Sequence, residues 1–298
     1  MIYKLKKWVS ICRWDISSNN LQQDTSNIYI KDNINWYELS SNPKAISLLF
    51  ENIDKIEHSR FSVNPGSIDF YVKNKLLINW HEFCKNINPI AIDLIRENLY
   101  HADWYNLSSN PAAMDLIEEN KDKISWHQLS NNTNPNAIKL IEENLDRANW
   151  YNLSRNPAAV YLLEQNKDKI YWHQISRNPN PLAMGIIKDN LDKIGWYWLS
   201  GNPIAIEILK QNKNKINYDQ LCNNPNPEAM TLIEENLERV NWNYLSGNPA
   251  ALHLLEQNKN RIVWKYLSGN PSIFDISSNV PNMILSSNFF FREKWYIM

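Results

Sequence analysis

The stretch Trp150–Ile170 reads WYNLSRNPAAVYLLEQNKDKI, and close copies of it fill most of the chain. An aromatic residue, usually Trp, opens each copy and returns at intervals that alternate between about 22 and 24 residues through the middle of the sequence. A fixed period of this length is the signature of a repeat protein, so these copies decide the fold. The eleven opening positions, called anchors below, are Trp36, His58, Trp80, Trp104, Trp126, Trp150, Trp172, Trp196, Tyr218, Trp242 and Trp264.

Asn-Pro in the middle of each copy predicts the start of a helix. The side chain of Asn156 can accept hydrogen bonds from free backbone N–H groups, and Pro157 takes the first helical position without losing a bond. The apolar residues that follow, as in 205–209, recur with the period of one buried helix face. Asn166 comes directly after the last apolar turn, where a residue that tolerates the left-handed conformation closes a helix. The sequence therefore predicts a helix of about ten residues followed by a polar turn.

The anchor itself predicts a second, shorter helix. A capping residue such as Asn149 precedes most anchors, and Leu153 follows its anchor at a spacing that places both on one face. The residue before a proline is disfavoured in the α region, so Ser-x-Asn-Pro ends this short helix. In some copies the proline lies nine residues after the anchor instead of seven, which lengthens the turn in every second copy. These long copies begin at Trp80, Trp126, Trp172 and Tyr218.

One helical hairpin of this size cannot bury its own Trp, Ile and Leu side chains, so neighbouring copies must stack. The fold class predicted is all-α, an α-solenoid of about eleven helical-hairpin repeats of 22 or 24 residues with terminal caps. Packed helices about 9 Å apart would make a curved rod on the order of 100 Å along its path. Three segments are expected: an N-terminal cap (1–32), the repeat array (33–274) and a C-terminal cap (275–298).

Composition argues against several functional classes. The formal net charge is −1 and basic residues are interleaved with acidic ones, so no basic ridge for nucleic acid is evident. Cys12, Cys84 and Cys222 are odd in number and lack CxxC spacing, which argues against a disulfide framework or a zinc site. No run of about 18 apolar residues predicts a membrane span. The apolar face of residues 5–12 fits either a cap over the first repeat or a membrane-surface helix, and we expect the cap.

Function is expected away from the recurring framework positions. The two residues after each anchor should point away from the buried face, and they form a row of aromatic and amide groups that suits protein binding. The alternative is that this row packs on the neighbouring repeat or is merely solvated. No metal is predicted, because histidines of the row lie two repeats apart, and no catalytic or phosphate-binding motif occurs. The candidate partner-binding residues are Tyr105, Asn106, His127, Gln128, Tyr151, Asn152, His173, Gln174, Tyr197 and Trp198.

The motifs WYELSSNPKAISLLFENIDKI, from Trp36, and WYNLSRNPAAVYLLEQNKDKI, from Trp150, resemble the Asn-Pro repeat proteins encoded in many copies by large DNA viruses of amoebae and algae. The resemblance implies a viral, non-enzymatic protein without cofactors, and it transfers no catalytic residues. The copy that starts at His58 departs from the pattern, with Phe61 in place of Leu and Gly66 in the Asn-Pro segment. A distorted layer is expected there.

These features together predict a non-enzymatic protein-binding scaffold or adaptor, directed at a host protein and located in the host cell cytoplasm. The alternative is a structural component of the virion, in which the rod acts as a spacer. A third class, nucleic-acid binding by stacking of bases on the repeats, lacks the accompanying basic residues.

Overall fold

The computed structural model describes residues 3–6, 9 and 34–276, and most of them lie in short helices. A short helix begins at each of the eleven anchors, which confirms an all-α protein built of regularly repeating helical units. The short helices span Trp36–Ser40, His58–Phe61, Trp80–Phe83, Trp104–Ser109, Trp126–Leu129, Trp150–Arg155, Trp172–Ile175, Trp196–Ser200, Tyr218–Leu221, Trp242–Gly247 and Trp264–Leu267.

A second helix follows each Asn-Pro turn except in the last repeat, where a strand takes its place. It is shorter than predicted, because in many short repeats the residues after proline form a 3-10 turn such as Pro157–Ala159 before the α-helix begins. In most long repeats the α-helix starts at the proline itself. The second helices span Ile46–Phe50, Ile68–Lys73, Pro89–Glu97, Met114–Glu119, Pro135–Glu142, Val160–Gln165, Ala183–Lys188, Ile206–Gln211, Pro227–Glu234 and Leu252–Gln257.

Asparagine side chains act at both ends of the second helix. Asn156 accepts a hydrogen bond from the N–H of Ala158, as expected of an N-cap. The left-handed conformation predicted for Asn166 is wrong: its φ is −130° and its ψ is 54°. Its side-chain amide donates instead to the carbonyl of Leu162 at 2.9 Å, which satisfies a carbonyl that the helix end leaves free. The polar turn after it is a 3-10 helix, Lys167–Lys169.

Most anchor rings are half-buried, and seven of them are covered by a cation from their own repeat. Leu153 and Ala159 are fully buried in the core against which the ring of Trp150 packs, while the ammonium of Lys169 lies 4.8 Å from that ring's centroid. Cations above aromatic rings stabilise by roughly 0.5 to 1 kcal/mol at exposed sites. The charged 3-10 turn therefore closes the apolar layer from the solvent side. The same pairing joins Lys123 to Trp104, Arg147 to Trp126, Lys193 to Trp172, Lys215 to Trp196, Arg239 to Tyr218 and Arg261 to Trp242.

A buried asparagine six residues after each anchor joins successive repeats. The Asn132 side-chain amide donates to the carbonyls of Ser108 and Asn110 in the preceding repeat, at 3.0 and 3.1 Å, and accepts from the N–H of Asn134. All hydrogen-bonding groups of a buried polar side chain need partners, and these bonds supply them. The asparagine ladder comprises Asn42, Asn64, Asn86, Asn110, Asn132, Asn156, Asn178, Asn202, Asn224, Asn248 and Asn270.

A second contact between repeats comes from the residue four positions after each anchor, usually serine. The Ser108 hydroxyl donates to the Trp104 carbonyl of its own helix and accepts from the N–H of Ser125 in the next repeat. Cys84 and Cys222 occupy this position in two repeats, and the Cys84 sulfur accepts from the N–H of Asp103 at 3.3 Å. Burial raises the pKa of both thiols to about 11.

The extra residues of the long repeats add one more bond to the preceding short repeat. Asn134 caps the second helix of its repeat and also donates to the carbonyl of Pro111, at 3.0 Å. Each long repeat therefore has, at this position, a bond to the preceding repeat that the short repeats lack. The equivalent bonds join Asn88 to Pro65, Asn180 to Pro157 and Asn226 to Pro203.

The repeat that begins at His58 keeps the regular contacts, so the distortion expected there is not found in its hydrogen bonds. Asn64 donates to two carbonyls of the first repeat, both at 3.0 Å, as elsewhere in the ladder. Tyr71 occupies a position that holds Leu or Ile in other repeats, and its hydroxyl donates to the His58 carbonyl. The His58 ring also stacks on Phe70. Larger side chains on the second helix thus fill the space that the smaller anchor leaves.

The last repeat contacts the first through the same kinds of bond that join neighbouring repeats. The N–H of Asn35 donates to the Ser268 hydroxyl at 2.9 Å, and the Asn42 amide donates to the Ser268 carbonyl at 3.4 Å. Two strands accompany this seam: β1 (Tyr3–Leu5) pairs antiparallel with β2 (Phe274–Ile276). A rod with two separated ends, as expected from the sequence, would not bring these residues together. The segments predicted as caps, 1–32 and 275–298, lie almost entirely outside the described residues.

Candidate partner-binding surface

The residue directly after the anchor is exposed in every repeat except the one headed by His58. Tyr105, Tyr151 and Tyr197 keep 52%, 47% and 43% of their surface accessible. His127 and His173, which alternate with them, are exposed as well. These five side chains, called the exposed row below, are the half of the predicted site that remains available to a partner.

The second residue after the anchor is oriented differently, and the expectation that it would be exposed is wrong for three amides. Asn106 and Asn152 are buried and donate to carbonyls of the preceding repeat, those of His81 and His127, at 3.0 and 2.8 Å. Gln174 keeps only 2% of its surface accessible. Successive residues of a helix point in directions about 100° apart, so the second residue faces the neighbouring repeat. For these three amides the alternative reading, that the row packs on the neighbouring repeat, is therefore the correct one. Gln128 and Trp198 are half-buried.

Side chains of the exposed row and its neighbours meet across repeat boundaries. The rings of Tyr105 and His127 are nearly parallel, with an interplanar angle of 13° and centroids 6.5 Å apart. Tyr151 meets Tyr171 of the next repeat edge to face, with centroids 5.5 Å apart. Two members of the row, Tyr105 and His127, are therefore paired with each other, and Tyr151 is paired with a residue outside the row.

The short helices, which carry the exposed row, pack most closely on each other at five junctions, those between the repeats headed by Trp36 and His58, Trp104 and Trp126, Trp150 and Trp172, Trp196 and Tyr218, and Trp242 and Trp264. The far ends of the second helices are instead bridged by long side chains, such as Lys75 with Glu97 at 3.3 Å and Lys213 with Glu235 at 2.7 Å. In a curved stack, neighbouring elements are closest on the inner side. At those five junctions the exposed row therefore lies on the side where the repeats approach each other most closely.

Two clefts open along this surface. The first, of about 440 Å³, is bounded by Tyr151 and Tyr171 and floored by Trp150 and Lys169. Sequence reasoning missed Tyr171, which is exposed and stands in the capping position where most other repeats carry Asn, Ser or Asp. That substitution of a capping residue by an aromatic one is the signal that could have identified it.

The second cleft, of about 350 Å³, lies one repeat further along the exposed row. The guanidinium of Arg177 lies 4.3 Å from the ring centroid of Trp198, and Gln220 and Asn223 form the opposite wall. The Gln220 amide donates to the Tyr197 hydroxyl at 2.8 Å, which connects this cleft to the exposed row. A stacked guanidinium surrounded by amides can recognise a polar or anionic group.

The arrangement offers surfaces for recognition. Within the described residues, no group of three or more His, Cys, Asp or Glu side chains could hold a metal ion. Across residues 3–6, 9 and 34–276, no helix has the length and apolar character needed to cross a bilayer. His81 pairs with Asp103 of the next repeat, at 2.5 Å, so one histidine of this surface has a carboxylate partner.

No protein-family model matches the chain, and the comparisons with curated proteins and with solved structures give no match. The class that the fold defines is a helical protein with regularly repeating units headed by Trp and Asn-Pro. The resemblance to viral Asn-Pro repeat proteins rests on the quoted motif.

Proposed function

We propose that the chain is a closed α-solenoid of eleven repeats that binds a partner protein on its concave side, as a non-enzymatic scaffold or adaptor. The observation that carries this proposal is the exposed row of Tyr105, His127, Tyr151, His173 and Tyr197. Tyrosine gives a large contact area and a hydrogen-bonding tip at low conformational-entropy cost, and it is enriched in protein-binding surfaces.

Closure of the solenoid is supported by the seam, where Asn35 and Asn42 bond to Ser268 as residues of neighbouring repeats bond elsewhere. Eleven repeats with helices about 9 Å apart make a ring about 30 Å across between helix axes. Because a helix with its side chains is about 10 Å wide, an opening of about 20 Å remains. A single helix or an extended segment of the partner fits this opening, whereas a whole globular domain does not.

The chemistry of the concave surface favours a protein partner over nucleic acid. Nucleic acid requires several Lys or Arg side chains along one surface to neutralise successive phosphates. The exposed row contains none, and the cations near it are few: Arg60 pairs with Glu38, Arg155 bonds to Asn131, and Arg177 lies over the ring of Trp198. Tyrosine and histidine side chains suit the mixed polar and apolar surface of a polypeptide.

The resemblance to Asn-Pro repeat proteins implies a virus as the source, and a host protein is then the partner that an adaptor of this kind would engage in the host cytoplasm. The alternative role as a virion spacer needs a rod with two free ends that reach separate structures. Contacts between the first and last repeats give that alternative less support.

The proposal is tested by affinity capture from cells that express the tagged chain. The test variant changes Tyr105, His127, Tyr151 and His173 to Ala, and circular dichroism checks that it is folded. We expect a partner that is retained by the wild type and lost from the variant. A matched control changes Lys75 and Lys213 to Ala on the opposite side and should retain the partner. Equal capture by wild type and test variant, or no capture by either, would contradict the proposal.

A further inference from the structure

We propose that the cleft formed by Arg177, Trp198, Gly201, Gln220 and Asn223 binds a carboxylate of the partner protein, supplied by an Asp or Glu side chain. This inference rests on the proposed function, because the cleft adjoins the exposed row through Tyr197. It adds the chemical identity of one group that the partner must present. An acidic residue within a slender segment is the feature that would be recognised.

The guanidinium of Arg177 has no carboxylate or carbonyl partner among the described residues. It lies over the ring of Trp198, and the Arg177 side chain is exposed. The equivalent residue of the preceding repeat, Arg155, donates two hydrogen bonds to the side-chain oxygen of Asn131, at 2.8 and 3.1 Å. Arg177 therefore differs from its repeat counterpart in having its donors available.

Stacking on Trp198 prepares Arg177 for an anion. The tryptophan ring covers one flat face of the guanidinium and removes water from it, while the edge that carries the N–H groups stays free. That edge matches the two oxygens of a carboxylate, and such bidentate pairs are among the stronger hydrogen bonds of proteins. The held orientation also lowers the entropy lost on binding.

The opposite wall leaves room for the ligand because residue 201 is glycine. A Cβ atom placed on Gly201 would lie 3.3 Å from the side-chain oxygen of Gln220, in tight contact. Glycine is found at this position in three repeats, as Gly201, Gly247 and Gly269, whereas the other repeats carry Ser, Val, Lys, Asn or Arg there. The nearby carboxylate of Asp219 accepts a hydrogen bond from Asn241 at 2.9 Å, and it is not among the residues that line the cleft.

A carboxylate fits the donor set better than a phosphate does. The cleft offers one guanidinium and neutral amides, namely those of Gln220 and Asn223. Phosphate recognition in proteins uses clusters of Arg or Lys, or several free backbone N–H groups. A single negative charge is the amount that Arg177 can neutralise.

The test uses the full chain and the blocked tripeptide Ac-Ala-Glu-Ala-NH2 as the probe. The readout is the indole N–H signal of Trp198 in ¹⁵N-labelled protein, assigned with Trp198→Phe. We expect a saturable shift with the Glu peptide and none with Ac-Ala-Gln-Ala-NH2. Arg177→Gln should weaken binding about tenfold or more, and Gly201→Val should block it. Arg155→Gln is the matched control and should bind as the wild type does.

The outcomes separate this inference from the proposed function. Equal responses to the Glu and Gln peptides, or unchanged binding by Arg177→Gln, would overturn the carboxylate assignment. If the cellular partner is lost from the Tyr/His variant but retained by Arg177→Gln, and the Glu peptide does not bind, the function stands and this site fails. If the Glu peptide binds as expected but no partner is captured, the site stands and the proposed function fails.

Discussion

Junctions between neighbouring repeats inside the array differ from the seam between the last repeat and the first. At an internal junction the ladder asparagine donates two short bonds, as Asn132 does at 3.0 and 3.1 Å. At the seam, Asn42 donates to Ser268 at 3.4 Å, close to the limit of a useful hydrogen bond. The seam has instead the β1–β2 pair and the apolar contact of Leu5 and Val9 with Trp264, which internal junctions lack.

This difference shows that the same kind of asparagine hydrogen bond joins repeats at both places but is weaker at the seam. Internal junctions join segments about 22 to 26 residues apart, whereas the seam joins residues 35 and 268. Contacts across a long chain separation cost more chain entropy to form. We therefore expect the seam to open before the internal junctions do, and mutations at the two places measure how far they differ.

The largest effect is expected from Trp150→Ala, inside the array. The ring packs against the core that contains buried Leu153 and Ala159 and holds Lys169, so its removal leaves a cavity and an unpaired cation. Truncation of a core aromatic costs roughly 3 to 5 kcal/mol of unfolding free energy, and the half-exposed ring places this variant near the lower end. Urea unfolding measures it. A loss below about 1 kcal/mol would show that the anchors are not framework residues.

Asn132→Ala and Asn42→Ala compare the two kinds of junction directly. Asn132→Ala removes two bonds to buried carbonyls and leaves those carbonyls unpaired, which should cost roughly 2 to 4 kcal/mol. Asn42→Ala removes one long bond to the Ser268 carbonyl and should cost about 1 kcal/mol. Unfolding in urea gives both values. Equal losses would mean that the seam is as strong as an internal junction.

Ser108→Ala and Cys84→Ser test the second contact between repeats. Ser108→Ala leaves the N–H of Ser125 without its acceptor and should cost about 1 to 2 kcal/mol. Cys84→Ser installs the residue that most repeats carry, so its stability should stay within about 0.5 kcal/mol of the wild type. Thermal unfolding of the two variants provides the measurement. A large loss in Cys84→Ser would mean that packing of the sulfur, rather than the hydrogen bond, matters at this position.

His127→Ala should have the smallest effect, below about 1 kcal/mol. The ring is exposed and stacks on Tyr105 at 6.5 Å, and the carbonyl that Asn152 uses belongs to the backbone, which the variant keeps. Chemical unfolding of this variant beside Trp150→Ala gives the contrast. Unfolding of the array by His127→Ala would assign the exposed row to the framework and remove the basis of the proposed function.

The repeating helix pairs could be predicted from the sequence because each signal is local. Anchor spacing, the Asn-Pro start and the capping asparagine Asn156 act within one repeat, and the structure has them. The ladder was missed because its acceptors lie in another repeat. One signal was present: the long repeats keep the ladder asparagine, as in Asn132, although a different residue, Asn134, caps the helix.

The surface was predicted only in part for a similar reason. Tyr105 and Asn106 are adjacent in sequence, yet one is exposed and the other donates across the repeat boundary. The angle between them on a helix follows from the sequence, but the direction of the neighbouring repeat does not. The seam, and the closure proposed above, depend on the small rotation that accumulates from repeat to repeat, which no single motif encodes.

Because the number of anchors is odd, long and short repeats cannot alternate all the way from the first repeat round to the last. Long repeats start at Trp80, Trp126, Trp172 and Tyr218, so four short repeats in succession surround the seam. In the closed solenoid proposed above, an odd circle cannot be built from pairs alone, and eleven repeats require a turn of about 33° per repeat, 360° divided by eleven. Duplication or loss of one pair, which an open array tolerates, would change that angle everywhere at once. Evolution of such a gene is therefore expected to hold its length fixed while varying the residues that face the centre.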